Sequence, residues 1–367
     1  MPTADELLGP EVAAALVGVV ARAAPTTSLA ALAVAAGSLG PLALRERTDL
    51  LAAALLADLG DGYPRLEEVV LAALTDPAFT GWMVWPVTEA LVTAALADGS
   101  PEAFDAALDR LADLTPRLTA EFAIRRLLAA DLHRALAAAT RWTAHPDEHV
   151  RRPASEGTRP FLPWSTRVPA ILAEPEATVA ILDALHRDPS AYVRRSVANH
   201  LNDLNRQQPE LAVTAAARWL GDADEHTAGL VRHGLRTLVK QGHPAALALL
   251  GFPPAPDVAV GVPVLGRTKV VLGGELPFEV TLVNHGTEPA RLAIDYVVHH
   301  VKANGSRTPK VFKLATRVLA AGERVTLARR HSFKPISTRR YHPGEHALGL
   351  QVNGVATDVV AFDLSTG

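Results

Sequence analysis

Residues 188–204, DPSAYVRRSVANHLNDL, decide how the first two thirds of the chain fold. The turn signal Asp188-Pro189 precedes apolar residues at helical spacing, so one face of the predicted helix belongs to a core. A second face carries a coherent polar set, namely Arg195, Asn199, Asn202 and Asp203. Asparagine is unfavourable inside a helix, because its side chain competes for backbone hydrogen bonds. This second face therefore needs an explanation other than helix formation.

The same stretch recurs along the chain, which identifies a repeat. Residues 145–157, HPDEHVRRPASEG, align with residues 188–200 at an offset of 43, and residues 225–237, EHTAGLVRHGLRT, follow at a looser offset of 38. A turn followed by an apolar helix every 40 residues or so is typical of HEAT-like helical solenoids. Alanine- and leucine-rich segments broken by turn residues extend the helical pattern over residues 1–252.

Equivalent positions of the three repeats predict a polar stripe. Arg195, Asn199 and Asn202 correspond to two further sets of polar residues, which are Arg152, Glu156 and Arg159 before them and His233, Thr237 and Lys240 after them. In a solenoid such positions stack along one surface, usually the binding surface. The alternative is a merely solvated face, but that face would favour Glu, Lys and Ala over Asn, Thr and Arg. We therefore favour a binding surface.

The sequence pattern changes after residue 252. Residues 251–256, GFPPAP, cannot continue a helix and predict a stiff linker. Beyond it, short segments such as residues 278–283, FEVTLV, alternate apolar and polar residues between turns. Residues 257–367 thus predict an immunoglobulin-like β-sandwich. The predicted fold class is multidomain, a HEAT-like α-helical solenoid over residues 1–252 followed by this sandwich.

Composition excludes several kinds of chemistry. The 367 residues contain no cysteine, which excludes disulfides, thiolate catalysis and zinc–cysteine sites. Nucleotide-binding loops and the common hydrolase motifs are missing, so we expect neither a metal nor a cofactor. The C-terminal histidines are expected to be structural or to face phosphate, namely His299, His300, His331, His342 and His346. We find no signal peptide or membrane-spanning stretch in the sequence, so we expect a cytoplasmic protein.

Charge is distributed unevenly along the chain. The net charge of −3 combines −10 over residues 1–150, +2 over residues 151–256 and +5 over residues 257–367. A polyanionic partner is therefore expected to bind the middle and C-terminal parts. In the C-terminal part the predicted contacts lie in a loop over residues 332–341, and they are Lys334, Arg339 and Arg340.

Three acids stand among arginines on or beside the predicted stripe. Glu121, Glu156 and Asp203 each have arginines within a few turns of helix. Each acid could form only a local ion pair, which contributes a few tenths of a kcal/mol at a surface. That explanation does not account for acids on a surface otherwise suited to phosphate. Trp164, in the segment FLPWST that follows the Glu156 helix, adds an aromatic candidate.

Long stretches of the chain resemble the AlkC/AlkD family of DNA alkylation-repair glycosylases. The helical stretches are residues 118–128 (LTAEFAIRRLL), 151–165 (RRPASEGTRPFLPWS), 192–204 (YVRRSVANHLNDL) and 233–252 (HGLRTLVKQGHPAALALLGF), with 81–89 (GWMVWPVTE) similar to the family's N-terminal region. Residues 311–333 and 339–354 resemble the immunoglobulin-like domain of the AlkC branch. One departure is Arg126-Leu127 after Arg125, where the family usually has proline and phenylalanine.

The resemblance implies hydrolysis of the N-glycosidic bond of cationic, methylated bases in double-stranded DNA, chiefly 3-methyladenine, during base excision repair. Such a base leaves as a neutral molecule, so the main task is to stabilise an oxocarbenium-like sugar. A carboxylate does this, and an indole face adds cation–π stabilisation. The predicted catalytic residues are Asp203 first, then Glu156 and Glu121, with Trp164.

The predicted DNA-binding residues combine the stripe with the C-terminal loop: Arg152, Arg159, Arg195, Asn199, Lys240, Lys334, Arg339 and Arg340. We expect a monomer without metal or cofactor, cytoplasmic and associated with the nucleoid through DNA. The alternative function is a non-catalytic HEAT–immunoglobulin adaptor or a DNA-damage-binding protein. The sequence leaves the lesion open among 3-methyladenine, 3-methylcytosine and 1-methyladenine.

Overall fold

The computed structural model describes residues 3–60, 62–337 and 339–365. The chain divides between Gly234 and Leu235 into two units. The first is helical and the second combines short helices with two β-sheets, so the predicted fold class is confirmed. Helix gives way to strand between Leu249 and Val258, where the sequence predicts the linker. The last two helices nevertheless cluster with the strands rather than with the preceding helices.

In the first unit, helices follow one another along the described residues. They are α1 (Ala4–Leu8), α2 (Pro10–Ala23), α3 (Ala30–Ala36), α4 (Leu44–Leu59), α5 (Tyr63–Ala73), a 3₁₀ turn (Gly81–Met83), α6 (Val84–Asp98), α7 (Pro101–Leu114), α8 (Ile124–Ala130), α9 (Leu132–Trp142), α10 (Glu148–Glu156), α11 (Pro169–Ala173), a second 3₁₀ turn (Pro175–Thr178), α12 (Val179–Leu185), α13 (Ala191–Leu204), α14 (Pro209–Gly221) and α15 (Thr227–Gly234). Among the described residues, no helix combines the length and apolarity needed to cross a membrane.

The repeat that the sequence predicts is built from a shared capping device. The side chain of Asp147 caps α10 and that of Ser190 caps α13, each by accepting a backbone N–H of the first turn. The first arginine of each Val-Arg-Arg run then turns back onto the preceding turn. Arg151 donates to the carbonyls of residues 145 and 146, and Arg194 donates to those of residues 188 and 189. The two turns are therefore fixed in the same way.

The apolar faces of the repeats form a continuous core in which α13 packs against both α10 and α15. Val150, Val193 and Val231, the equivalent valines of the three repeats, are all buried. The third repeat differs from the first two, because α15 ends at Gly234. A Cβ atom at Gly234 would lie 2.6 Å from Cδ2 of Leu201, so only glycine permits this close approach of α15 to α13.

The second unit begins with two helices and continues as a sandwich of two sheets. Its elements are α16 (Arg236–Gln241), α17 (Pro244–Leu249), β1 (Val258–Val260), β2 (Val264–Leu265), β3 (Lys269–Val271), β4 (Glu275–Asn284), β5 (Ala290–Val301), β6 (Arg307–Leu319), β7 (Arg324–Ser332), β8 (Gly344–Val352), β9 (Val355–Ala356) and β10 (Val360–Ser365). One sheet has the order β1-β4-β2, with β7 also paired to β4. The other has the order β3-β10-β8-β5-β6, with β9 paired to β8.

The core between the sheets follows the predicted period of two. Along β4, Leu276, Phe278, Val280 and Leu282 are buried in alternation with more exposed residues. Three histidines join this core, which are His300, His331 and His346. Each has one ring nitrogen without a hydrogen-bond partner among the described residues. Burial lowers the pKa of His300 to about 3 and that of His331 to about 4, and it lowers the pKa of His346 as well.

From the burial of these three histidines we predict that acid destabilises the second unit. Below the unfolded-state pKa of about 6.5, the unfolded chain binds protons that the folded chain excludes. Their contribution to stability is therefore complete above about pH 6.5 and is lost as the pH falls toward 4. Hydrogen exchange of β5, β7 and β8 in the full-length protein, expressed as protection factors, should show lower stability at pH 5 than at pH 7.5.

Tryptophan fluorescence provides an internal reference, because all five tryptophans precede residue 235 and report the first unit. His331→Phe should weaken the pH dependence of the strands, whereas His285→Gln, at an exposed position, should leave it unchanged. Equal protection of the three strands at both pH values would contradict the prediction.

Candidate active site

The three predicted acids lie in one connected ladder with two arginines. Arg152 pairs with Glu121 through Nη1, and its Nη2 lies 3.6 Å from Oε1 of Glu156. Arg159 donates from Nη1 to Oε1 of Glu156 at 2.6 Å and from Nε to Oδ2 of Asp203 at 2.8 Å. The order is thus Glu121–Arg152–Glu156–Arg159–Asp203, which we call the acid ladder. The structure therefore brings together acids from three separate segments of the chain.

The acid ladder is buried, which sets it apart from surface ion pairs. Glu121, Glu156 and Asp203 are 7%, 6% and 3% exposed. Desolvation raises the pKa of Glu121 and of Asp203, while the neighbouring guanidiniums oppose the rise. The pairs of Glu121 and Asp203 also join distant parts of the chain, so a local intrahelical pair does not explain these two acids. Buried charges that cost folding free energy are typical of functional sites.

Hydroxyl groups and close packing position Glu121 and Glu156. Thr119 donates to Glu121 at 3.0 Å, and Ser196 on α13 donates from Oγ to Oε2 of Glu156 at 2.7 Å. A Cβ atom at Gly157, which follows α10, would lie 2.7 Å from Cγ2 of Ile124. The end of α10 can therefore pack tightly against the segment that carries Glu121 only because residue 157 is glycine.

A buried histidine ties α10 to α13 behind the ladder. His200 is fully buried, and its Nδ1 lies 2.9 Å from the carbonyl of Ser155. Its Nε2 lies 3.2 Å from Oγ1 of Thr178. Burial lowers the pKa of His200 to about 3, so the ring is neutral at physiological pH. The two ladder helices are thus joined by a neutral hydrogen-bonded contact that adds no charge.

Arg125 organises the loop after α10, a role that sequence reasoning missed. The residue is 1% exposed. It donates from Nε to the carbonyl of Thr166 at 2.7 Å and from Nη1 to the carbonyls of Arg159 at 2.8 Å and Gly157 at 3.1 Å. Burial lowers its pKa to about 10, and the charge of Arg159 acts in the same direction. No spacing signal reveals this role, because the carbonyls come from a segment more than 30 residues away.

Trp164 stands outward on the loop that Arg125 fixes. Its side chain is exposed, and its backbone has a φ of 61°, in the left-handed region that large residues rarely adopt. The structure thus excludes a role for Trp164 in the core. A strained backbone that presents an indole to solvent is consistent with the predicted contact to a sugar cation, which stays a prediction.

The other predicted DNA-binding residues of the first unit differ in how accessible they are. Arg152 and Arg159 direct their guanidiniums to carboxylates of the acid ladder. Arg195 is exposed, whereas Asn199 is half-buried and its Oδ1 lies 3.2 Å from Nε2 of His233. A groove of about 400 Å³ runs between α13 and α15, lined by Arg194, Arg195, His226 and His233 among others. The acid Glu225 also lines this groove, so it combines both signs of charge.

The predicted DNA-binding residues of the second unit also differ in how exposed they are. Lys240 on α16, Lys334 and Arg340 are exposed. Arg339 is instead half-buried, donating from Nη1 to Nε2 of His300 at 3.0 Å and stacking on Phe312 and Tyr341. It anchors the loop between β7 and β8, in which Thr338 lies outside the described residues. Among those that are described, no group of three or more metal-ligating side chains could hold a metal ion.

Comparison with known proteins places both parts of the chain in a family. Residues 259–366 match the family model described as the C-terminal Ig-like domain of the uncharacterised protein YhaZ. The uncharacterized protein YhaZ of Bacillus subtilis (strain 168) is 36% identical over 261 residues, covering 71% of this chain and 72% of that protein. The solved structure of Pseudomonas fluorescens alkylpurine DNA glycosylase AlkC, bound to DNA containing an abasic site analog, is 31% identical. It covers 100% of both chains with a TM-score of 0.85.

Replacing Arg125 tests whether its carbonyl contacts order the loop. In Arg125→Met, buried carbonyls lose a charged donor, so the unfolding free energy of the first unit should fall by about 3 kcal/mol. Amide exchange over residues 157–166 should accelerate more than exchange in α13. Urea denaturation followed by tryptophan fluorescence and hydrogen exchange measure the two effects. Arg187→Met, which removes a surface ion pair with Asp222, is the matched control. Unchanged protection of the loop would contradict the assignment.

Proposed function

We propose that this chain, which belongs to the family of AlkC and YhaZ, the AlkC branch of the AlkC/AlkD proteins, is a DNA glycosylase that removes alkylated bases. The observation that carries the proposal is the buried acid ladder, which lies beside the exposed Trp164 loop. Its full-length similarity to an alkylpurine DNA glycosylase supports the same conclusion. The proposal includes a monomer that acts on double-stranded DNA in the cytoplasm, associated with the nucleoid.

The proposed substrate is a nucleotide whose base carries a positive charge after methylation, chiefly 3-methyladenine. The bond between C1′ and the base nitrogen breaks with its electron pair passing to the base, which leaves as a neutral molecule. Positive charge then develops on the sugar ring, where a nearby carboxylate stabilises it. Water adds to C1′ and loses a proton to a carboxylate, which leaves an abasic sugar in the strand. Selectivity follows from the weakness of the bond in the cationic nucleotide.

Asp203 is the first candidate for the stabilising carboxylate. Glu156 contacts both arginines and Ser196, so its oxygens are already engaged in holding the ladder. Asp203 and Glu121 occupy the two ends of the ladder. Arg152 supports the ionised form of Glu121 against desolvation, and Arg159 and Arg206 support that of Asp203. In this arrangement Glu156 acts as the central spacer, and an end carboxylate faces the sugar.

The alternative is a non-catalytic protein that binds damaged DNA or another partner through the same surface. Buried acids would then serve only to hold α10 and α13 together. Release of free methylated base from methylated DNA distinguishes the two functions, because a binding protein releases none.

Asp203→Asn should separate catalysis from stability and binding. We expect base release to fall by about 10²–10³-fold, since one preorganised stabilising charge is lost. Binding to undamaged DNA should stay level or improve, because the substitution removes a negative charge that lies just beneath the proposed DNA-binding surface. The unfolding free energy should fall by no more than about 1 kcal/mol, because Arg159 keeps its ion pair with Glu156 and no charge is left buried without a partner.

Single-turnover release of free base from methylated duplex DNA measures the catalytic effect. Asp222→Asn makes the same chemical change at an exposed surface pair and should leave release unchanged. Full activity of Asp203→Asn would transfer the catalytic role to Glu121 or Glu156.

The loop between β7 and β8 should contribute to DNA affinity through its exposed cations. Lys334→Ala combined with Arg340→Ala should weaken duplex binding for any sequence and lower the salt slope by about two units. Arg339 is left intact because it anchors the loop to His300. The control pair is Arg317→Ala with Arg324→Ala, which removes the same charge near the β6–β7 turn, at the opposite end of these strands. Equal slopes for the two pairs would contradict a specific role for the loop.

A further inference from the structure

Two exposed arginines flank one aromatic ring in the loop beside the acid ladder. The guanidinium carbon of Arg206 lies 4.6 Å from the centre of the Phe161 ring, and that of Arg167 lies 5.2 Å from it. Phe161 is half-buried, whereas both arginines are exposed. Cation–π contact with one ring therefore holds two positive charges near each other at the surface.

This group lies beside Asp203. The backbone N–H of Phe161 and the charge of Arg206 both lower the pKa of the Asp203 carboxyl, although desolvation has the larger effect and raises it. Arg206 lies in the turn that ends α13, where its N–H donates to the carbonyl of Asp203 at 3.2 Å. The chain thus places the ring and the two guanidiniums close to the Asp203 carboxylate.

In the part of the chain that the structure describes, no carboxylate lies within ion-pair distance of Arg167 or Arg206, in contrast to Arg152, Arg159, Arg187 and Arg218. The charge of Arg206 nevertheless lowers the pKa of Asp203. Two like charges that share one ring repel each other, and a bound anion removes that repulsion. The contacts with Phe161 also restrict both side chains before binding, which lowers the entropic cost of holding an anion.

We infer that Arg167 and Arg206 bind the phosphodiesters on either side of the nucleotide whose sugar faces Asp203. This inference rests on the proposed function for the identity of the strand. A guanidinium presents paired N–H donors that match phosphate oxygens, and two of them define both position and direction of a backbone. Holding both phosphates fixes C1′ against the Asp203 carboxylate, so the two arginines are positioning residues.

The test compares Arg167→Ala with Arg206→Ala, singly and together, against the control pair Arg187→Ala and Arg218→Ala. The control removes two exposed arginines that pair with Asp222 and Asp183 instead. The probe is duplex DNA containing an abasic-site analogue, titrated over a range of salt concentrations. We expect the double variant to lose about two units of salt slope and at least tenfold in affinity, and the control pair to lose less than half of that slope.

Phe161→Leu separates position from charge, because it keeps both arginines and removes the ring. Its salt slope should remain within half a unit of wild type, while base release at saturating protein falls at least tenfold. Arg167→Lys with Arg206→Lys should retain the salt slope and recover only part of that rate, since lysine lacks the paired donors. Unchanged melting temperatures confirm that the exposed arginine variants fold.

A double alanine variant with the salt slope of the control pair would overturn the inference. If the double alanine variant has a lower salt slope than the control pair but wild-type protein releases no base, the phosphate site is supported and the glycosylase proposal is refuted. If wild-type protein releases base but the double variant and the control pair have equal salt slopes, the glycosylase proposal is supported and the phosphate site is refuted. Should Phe161→Leu fail to fold, the arginine substitutions alone decide.

Discussion

The pairing of buried carboxylates with guanidiniums constrains everything else in the first unit. Each of Arg152 and Arg159 serves two acids, so displacement of either arginine would leave an end acid, Glu121 or Asp203, buried without its ion-pair partner. The segment that carries Glu121, the end of α10 and the middle of α13 must therefore keep one relative position. Apolar contacts alone would tolerate small shifts among these elements, whereas the ladder does not. A rigid set of acids is what stabilisation of a developing cation requires.

The fixed position of the ladder depends on two neighbouring side chains, one of which is neutral while the other has a buried charge. His200 joins α10 to α13 as a neutral ring. Arg125 donates its hydrogen bonds to backbone carbonyls rather than to the acids. The loop held by Arg125 carries Trp164 outward and places the Phe161 ring against Arg167 and Arg206. A disordered loop of this length would place neither side chain reliably. The buried arginine thus converts an irregular segment into part of the site.

How much of the structure the sequence predicts depends on how far apart in the chain the interacting residues lie. The repeat offset predicts that Arg152, Glu156 and Arg159 share a helix face, because helical spacing is a local property. The structure agrees for Arg152 and Glu156, but α10 ends at Glu156 and Arg159 lies beyond it. That Arg159 reaches Asp203 is not predictable, since Asp203 lies one position beyond the stripe of its own helix and the contact spans two repeats. Arg339 shows the same limit. The charge of Arg339 predicts a DNA contact, but only the fold reveals that its guanidinium donates a hydrogen bond to His300.

The paired arginines of the repeats also bear on how this surface can change over generations. Arg151 and Arg194 are committed to the carbonyls of their own turns, so replacing them would damage the architecture first. The residue that follows each of them makes different contacts in the two repeats. Arg152 pairs with two acids of the buried ladder, whereas Arg195 is exposed. The first position thus serves the turn in both repeats, whereas the second serves the ladder in one and the surface in the other. A substitution at Arg195 can change the exposed surface while Arg194 keeps its turn intact.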